Sequence, residues 1–233
     1  MSQTVLVLAA HPDDEVLGCG GTIARYAHEG AAVHIVFFTD GIGSRQQDRG
    51  MVMPSKEALV RRTAAETAVK ILGAQSVSFG EFPDNRMDSV DLLDIVQFVE
   101  KHVYHHKPEV ILTHHVSDLN IDHRLVHQAV VTACRPQPGH LVKTLLFFEV
   151  SSSTEWQTPA SASVFAPNWF VDINPYMAKR MHALEAYVDE IRPWPHSRSL
   201  KAIEYLARWR GATVGVEAAE AFMLGRMLVT EKK

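Results

Sequence analysis

The 233-residue sequence has few cysteines, no long apolar stretch and no excess of basic residues. Two cysteines, Cys19 and Cys134, are too few for the disulfide framework of a small secreted protein, so we expect free buried thiols. No stretch reaches the roughly 18 uncharged apolar residues that a membrane helix needs, so no membrane span is expected. A formal net charge of -4 gives no general attraction for nucleic acid or for anionic membranes, so neither is an expected partner.

The opening residues do not show a signal-peptide pattern. MSQTVLVLAAHPDD has no basic region before its apolar run, and that run soon ends in acidic residues. With 46% hydrophobic and 21% charged residues, the composition is that of a soluble globular protein. We therefore predict a cytoplasmic protein that forms a single domain over residues 1–233.

Apolar runs and helical patterns alternate along the chain. Strands are predicted at 5–10, 32–39, 76–80 and 110–114, and helices at about 20–30, 55–72 and 90–106. This order predicts an α/β Rossmann-like three-layer sandwich with a mostly parallel sheet. Further strands are expected at 145–150 and 169–173, one or both antiparallel at an edge, with final helices at about 175–189 and 197–211. Segment 151–167 is predicted to be a loop or lid, and 217–228 to pack on the sheet or on a neighbouring subunit.

Polar residues follow the predicted strands at the edge where ligands bind in such folds. The first strand ends in HPDDE at 11–15, where one imidazole and three carboxylates are costly to place together unless a cation lies beside them. Histidine and aspartate suit zinc, and the segment 114–123 can supply a further ligand. His123 opens a predicted helix, so its ring can point back to the first loop. Two histidines and one carboxylate with an open fourth position are typical of catalytic zinc.

Two separated motifs, HPDDE at 11–15 and NxDHRxV at 120–126, resemble those of the PIG-L/LmbE-like deacetylases. These are zinc enzymes that act on N-acetylglucosamine conjugates, and their Rossmann-like fold agrees with the predicted strand order. The resemblance implies a Zn²⁺ cofactor held by His11, Asp14 and His123. It also implies a small-molecule amino-sugar or sugar-conjugate substrate. The family often forms oligomers, which makes a homo-oligomer an expected state to test.

The resemblance also assigns the chemistry. Asp13 would act as the general base in hydrolysis of an N-acetyl group, releasing acetate and a free amine. Asp122 would orient a neighbouring group through a hydrogen bond. Many members carry a histidine three positions before the metal histidine, where this sequence has Asn120. The Asn120 amide could donate a neutral hydrogen bond to the oxyanion, or His114, His115 or a residue of another loop could take that role.

The remaining expected contacts are with the substrate. Arg45 lies where the family often places a substrate-contacting arginine, and Asp84, Arg86 and His115 lie on other rim loops. The proline-framed segment 192–199 is interpreted as a rigid turn, with a rim or interface role as the alternative. Two other functions stay open: an amidase acting on another sugar or thiol-sugar conjugate, and a non-catalytic, metal-stabilised binding protein. The presence of Asp13 argues against the second, because a structural site has no use for an unliganded base.

Overall fold

The computed structural model describes residues 3–39, 56–159 and 162–230. Within these ranges a seven-stranded sheet has the order β3-β2-β1-β4-β5-β7-β6. Its strands are β1 (Thr4–Ala9), β2 (Ala32–Phe37), β3 (Ser76–Phe79), β4 (Val110–His114), β5 (Thr144–Phe148), β6 (Trp169–Asp172) and β7 (Ala219–Met227). The helices are α1 (Asp14–His28), α2 (Lys56–Leu72), α3 (Leu92–His106), α4 (Ile121–Ala133), α5 (Met177–Glu185) and α6 (Leu200–Ala212). Short 3-10 turns occupy Met87–Ser89, Thr154–Trp156 and Asn174–Tyr176.

The first five strands form the parallel part of the sheet. β1 pairs with β2 and β4, β2 with β3, and β4 with β5, all in parallel. Val5 and Val7 pack in the apolar cluster formed with α1, α2, α5 and α6, whereas Leu6 and Leu8 pack in the cluster formed with α3 and α4. Burial on both faces explains the unbroken apolar sequence of β1. The predicted three-layer α/β class is confirmed.

The sheet beyond β5 differs from the sequence prediction. β7 lies between β5 and β6 and is antiparallel to both, whereas residues 217–228 were not assigned to a strand. One or both of β5 and β6 were expected to be antiparallel strands at an edge. β6 is such a strand, whereas β5 lies inside the sheet. The β7 sequence AEAFMLGRM favours a helix as much as a strand, so its pairing with two neighbours decides its structure.

Several helix boundaries also differ from those predicted, among them the start of α6, which begins at Leu200 instead of near residue 197. α1 begins at Asp14 instead of near residue 20, α4 begins at Ile121 instead of His123, and α5 ends at Glu185 instead of near residue 189. The early start of α1 matters for the site, because it places the second aspartate of HPDDE in the first helical turn. Negative side chains are favoured there by the helix dipole.

α1 contains a break at Cys19, whose φ of -151° is not helical. A break leaves backbone groups without partners inside the fold. Two buried side chains, Arg180 from α5 and Glu220 from β7, supply those partners and lie 3.1 Å apart as an ion pair. Arg180 donates to the carbonyl oxygens of Val16 and Leu17, before the break. Glu220 accepts from the N–H groups of Gly21 and Thr22, after the break.

The glycines of α1 allow close packing against the sheet. A Cβ at Gly18 would lie 2.7 Å from Cγ of Phe148, and one at Gly21 would lie 2.8 Å from Cβ of Ile173. These contacts explain why α1 carries glycine at both positions. Cys19 and Cys134 are buried, free and in opposite layers, as expected. Within the described ranges, no helix combines the length and apolar character required to cross a bilayer.

Candidate metal centre and active site

Five chain segments meet at the carboxyl edge of the parallel strands. They are the loop after β1, the loop after β3, the segment from β4 into α4, the segment after β5, and the segment before α6. A cavity of about 160 Å³ opens between them. The residues that line it include His11, Asp13, Asp84, Asn120, His123 and Arg198. A larger groove of about 1000 Å³ beside α2 adjoins this cavity through Arg61 and Glu190, but the cavity holds the cluster of ligand-type side chains.

Three side chains converge with the spacing of metal ligands. His11 Nδ1 lies 3.2 Å from His123 Nε2, and Asp14 Oδ2 lies 3.3 Å from the first nitrogen and 3.2 Å from the second. Bonds of about 2.0 to 2.1 Å to a tetrahedral zinc place neighbouring ligand atoms about 3.3 to 3.4 Å apart. The structure therefore brings together the three predicted ligands in an arrangement that fits one tetrahedral ion.

The outer nitrogen of His11 faces two carboxylates. His11 Nε2 lies 3.0 Å from Asp122 Oδ2 and 3.1 Å from Asp84 Oδ1. Asp122 is in turn fixed by the backbone N–H groups of Asn85 and Met87, at 2.6 and 3.0 Å. His11, Asp84 and Asp122 could also group around an ion, but Asp122 already accepts these two bonds. We interpret the two carboxylates as groups that orient the His11 ring, as expected for Asp122.

The outer nitrogen of His123 faces a residue that the sequence analysis did not single out. His123 Nδ1 lies 3.1 Å from Asp118 Oδ1, and Asp118 is fully buried. The hydroxyls of Ser153 and Thr154 donate to the two Asp118 oxygens, the second at 2.7 Å. The sequence shows that Asp118 lies between the end of β4 and His123, which could have marked it as a candidate partner of that histidine. The sequence does not show which way the His123 ring points.

Electrostatics in this cluster favour positive charge at its centre. Burial alone would lower the pKa of His11, but hydrogen bonds to three carboxylates raise it well above its usual value. Burial would also lower the pKa of His123, but Asp14 and Asp118 outweigh it and raise that pKa to about 9. Burial would raise the pKa of Asp14, yet the neighbouring imidazoles hold it well below its usual range. A divalent cation would supply the positive charge that this arrangement stabilises.

Asp13 occupies a different position from Asp14. Its φ of 111° lies where non-glycine residues are rarely found, and its N–H donates to Glu15 Oε2 at 3.0 Å. Burial raises the Asp13 pKa, whereas Arg198, whose Nη1 donates to Asp13 Oδ2 at 2.8 Å, lowers it. Glu15 also accepts from the Tyr187 hydroxyl at 2.7 Å, and burial raises its pKa to about 8. Glu15 thus supports the Asp13 backbone and is not grouped with the ligand atoms.

Asn120 caps α4 at the margin of the cavity. Its Oδ1 accepts from the N–H of Asp122 at 2.8 Å, and its Nδ2 donates to Asn85 Oδ1 at 2.8 Å. An asparagine directly before a helix is a common cap, so this role could have been found from the sequence. Both polar atoms of the amide have partners in the loop, although Asn120 lines the cavity.

The two histidines considered as substitutes also have other partners. His114 is fully buried, and its Nε2 accepts from the N–H of Ala10 at 2.8 Å. His115 Nε2 lies 3.2 Å from the carbonyl oxygen of Ser163, and its ring packs edge-on against Phe165. Neither residue is among those that line the cavity. His115 therefore lies away from the ligand cluster, whereas His114 packs beneath it, with its ring stacked on that of His123 at 3.9 Å between centroids and its Nε2 3.6 Å from Asp14 Oδ2.

The residues expected at the substrate are distributed unevenly. Asp84 lines the cavity, whereas Arg86 is exposed and does not line it. Arg45 lies outside the described residues. Arg198 enters the cavity, although segment 192–199 was predicted to be a rigid turn, with a rim or interface role as the alternative. Its contact with Asp13 spans 185 positions, so no local pattern announces it.

The fold and the site define a class: an α/β protein with a metal-capable His-Asp-His group and a separate carboxylate at the carboxyl edge of its sheet. Comparison with known families agrees with this description. Residues 6–134 match the PIG-L family model, which is described as GlcNAc-PI de-N-acetylase. The chain belongs to this family.

Individual relatives include both deacetylases and hydratases. The chain is 27% identical to the uncharacterized deacetylase YaiS of Escherichia coli K12, over 78% of this chain and 89% of YaiS. It is 29% identical to the 4-oxalmesaconate hydratase of Pseudomonas putida KT2440, over 83% of this chain and 76% of that protein. The crystal structure of GalB, the 4-carboxy-2-hydroxymuconate hydratase from P. putida KT2440, is similar with a TM-score of 0.76 and 25% identity over 99% of both chains.

Proposed function

We propose that this protein is a zinc-dependent hydrolase that removes the N-acetyl group from an N-acetylglucosamine-type sugar conjugate. The observation that carries the proposal is the convergence of His11 Nδ1, Asp14 Oδ2 and His123 Nε2 beside Asp13. Their separations of 3.2 to 3.3 Å suit one tetrahedral ion, and Asp13 is a cavity-lining carboxylate outside the ligand group that does not contact the ligand histidines' outer nitrogens. The family description and the deacetylase relative supply the reaction class.

The described side chains divide the chemistry between them. When bound, zinc supplies a Lewis acid for the amide carbonyl and lowers the pKa of a water molecule to about 7. Asp13 accepts a proton from the attacking water and returns it to the departing amine, as a general base and then a general acid. Asp84, Asp118 and Asp122 hold the two histidine rings in place through their outer nitrogens.

A hydratase is a second candidate function. Similarity to the hydratase sequence and to the hydratase crystal structure, both from P. putida KT2440, extends over 83% and 99% of this chain, well beyond the region matched by the family model. Asn120 also stands where many family deacetylases carry a histidine, and its amide is engaged by Asp122 and Asn85. In this alternative the same cation and base would add water to a carbon–carbon double bond conjugated with carboxylates.

The experiment compares the two reactions on one zinc-loaded preparation. Acetate release is measured from N-acetylglucosamine linked to inositol and from the UDP-linked sugar, and loss of ultraviolet absorbance is measured with a conjugated, carboxylated dienol. Asp13→Asn should retain zinc and lose the active reaction by at least about 1000-fold, because the base is removed. His123→Ala should lose zinc as well.

A matched control separates loss of the base from loss of any carboxylate. Asp88 is exposed on the 3-10 turn beside the site, and Asp88→Asn should keep both zinc and turnover. Acetate release that depends on zinc and on Asp13 would support the deacetylase. Hydration without acetate release would establish the second candidate, and a chain that binds no zinc under reconstituting conditions would refute both.

A further inference from the structure

Arg198 reaches the site from the segment directly before α6. Its guanidinium donates to three acceptors: Asp13 Oδ2 at 2.8 Å, Ser152 Oγ at 2.6 Å and Glu190 Oε2 at 3.4 Å. The Arg198 side chain is 21% exposed, and that of Asp13 is 5% exposed. Three acceptors on one guanidinium fix its plane, which a single flexible ammonium could not achieve.

The backbone around Arg198 is fixed as well. Its N–H donates to His196 Nδ1 at 3.0 Å, and its carbonyl oxygen accepts from the N–H of Arg192 at 3.4 Å. The next residue, Ser199, caps α6 by accepting from the N–H of Ala202 at 3.1 Å. The side chain therefore leaves from an anchored position and does not need to search for Asp13.

Asp13 needs an external partner to remain in place. Its neighbour Asp14 faces the ligand cluster, and a buried carboxylate beside a cation centre could turn toward the cation instead of toward the water. Among the described residues, the hydrogen bond to the Asp13 side chain engages Oδ2. A charge-assisted bond to one oxygen holds the carboxylate while the other oxygen can accept a proton.

We propose that Arg198 is a positioning residue that fixes the Asp13 carboxylate for proton transfer, with Ser152 and Glu190 holding the guanidinium in turn. The proposal rests on the proposed role of Asp13 as general base. Arg198 acts through Asp13, so its loss should slow turnover without weakening substrate binding or removing zinc. A substrate-binding arginine at the same place would instead affect KM.

A double-mutant cycle tests this role. Arg198→Met removes the charge and the donors, Asp13→Asn removes the base, and the double variant carries both changes. Arg198→Met should lower kcat about 10- to 150-fold while KM and zinc content stay within about twofold, since charge-assisted bonds are worth about 1.5 to 3 kcal/mol. In the Asp13→Asn background the same change should alter the residual rate less than about twofold.

Denaturant unfolding of the same four proteins gives a readout independent of turnover. Removing Arg198 should change the unfolding equilibrium constant at least about tenfold more when Asp13 is present than when it is Asn, because the pair is coupled. Arg208→Met is the matched control, since Arg208 on α6 pairs with Glu204 at 2.9 Å at an exposed site, and it should leave every readout unchanged. If Arg198→Met does not fold, Arg198→Lys replaces it, with an expected loss in kcat of about tenfold.

The outcomes separate this proposal from the proposed function. An active wild type whose Arg198→Met variant raises KM at unchanged kcat, or changes neither, overturns the positioning role and leaves the deacetylase intact. A wild type inactive on every amide refutes the proposed function, and the unfolding cycle then decides whether Arg198 holds Asp13. Additive unfolding effects in that cycle overturn the proposal by themselves.

Discussion

The buried pair of Arg180 and Glu220 at the break in α1 provides a strong test of the packing argument. Each residue is 3% exposed, and together they satisfy four backbone groups as well as each other. Glu220→Gln preserves the shape of the side chain but removes its charge. It also replaces one acceptor oxygen with an NH₂ group that would face a backbone donor. Arg180 would then remain buried without its counter-ion.

The magnitude follows from the two losses. Leaving one member of a buried ion pair unpaired typically costs about 3 to 5 kcal/mol, and a buried N–H without an acceptor costs about 1 to 3 kcal/mol. The terms overlap, so we expect the free energy of unfolding to fall by about 3 to 5 kcal/mol in total. In a chain of this size that corresponds to a Tm lower by about 6 to 20 °C.

Urea unfolding followed by circular dichroism measures this difference. Glu217 is the control. It lies just before β7, its side chain is 75% exposed, and its Oε2 lies 3.8 Å from Arg208 Nη1. Glu217→Gln should stay within about 0.5 kcal/mol of the wild type. A Glu220→Gln protein within about 1 kcal/mol of the wild type, with an unchanged m-value, would refute the assigned role of the pair.

Three further results are expected. Asp118→Asn should weaken zinc binding about 10- to 100-fold in a chelator competition, because the carboxylate no longer holds the His123 ring, and unchanged affinity would contradict that role. Burial and nearby histidines lower the pKa of His106 to about 4, so the folded state resists protonation and stability should fall as the pH drops from about 6.5 toward 4. His106→Gln should lessen that fall in denaturant titrations at pH 7 and pH 5. Gly18→Ala should cost about 1 to 3 kcal/mol, because its methyl group would overlap the Phe148 ring, whereas a gain in Tm would show that the ring can move aside.

The parallel half of the sheet was predictable because its signals are local, and the ligand set was predicted from the resemblance of two separated motifs to a known family. A strand buried on both faces must be apolar throughout, and β1 shows this pattern directly before HPDDE. The rule that ligands bind at the carboxyl ends of strands then brings 11–15 and 114–123 together. The structure places His11, Asp14 and His123 accordingly.

The rest depends on contacts between distant parts of the chain. β7 is a strand because β5 and β6 pair with it, which its Ala, Glu, Met and Leu residues do not indicate by themselves. The pairing of Arg198 with Asp13 joins residues 185 positions apart. The Asp118 carboxylate was visible in the sequence, but its function depends on the direction of the His123 ring, which only the fold determines.

The position of β7 has a consequence for synthesis of the protein. A growing chain that has emerged as far as β6 holds two strands whose shared neighbour has not yet been made. β5 would present an open edge and β6 would have no partner, while α1 would lack the Glu220 carboxylate at its break. Unpaired edges of this kind invite association with other chains. The seven-stranded sheet can therefore close only after the ribosome has delivered β7, although β5 and β6 are made earlier.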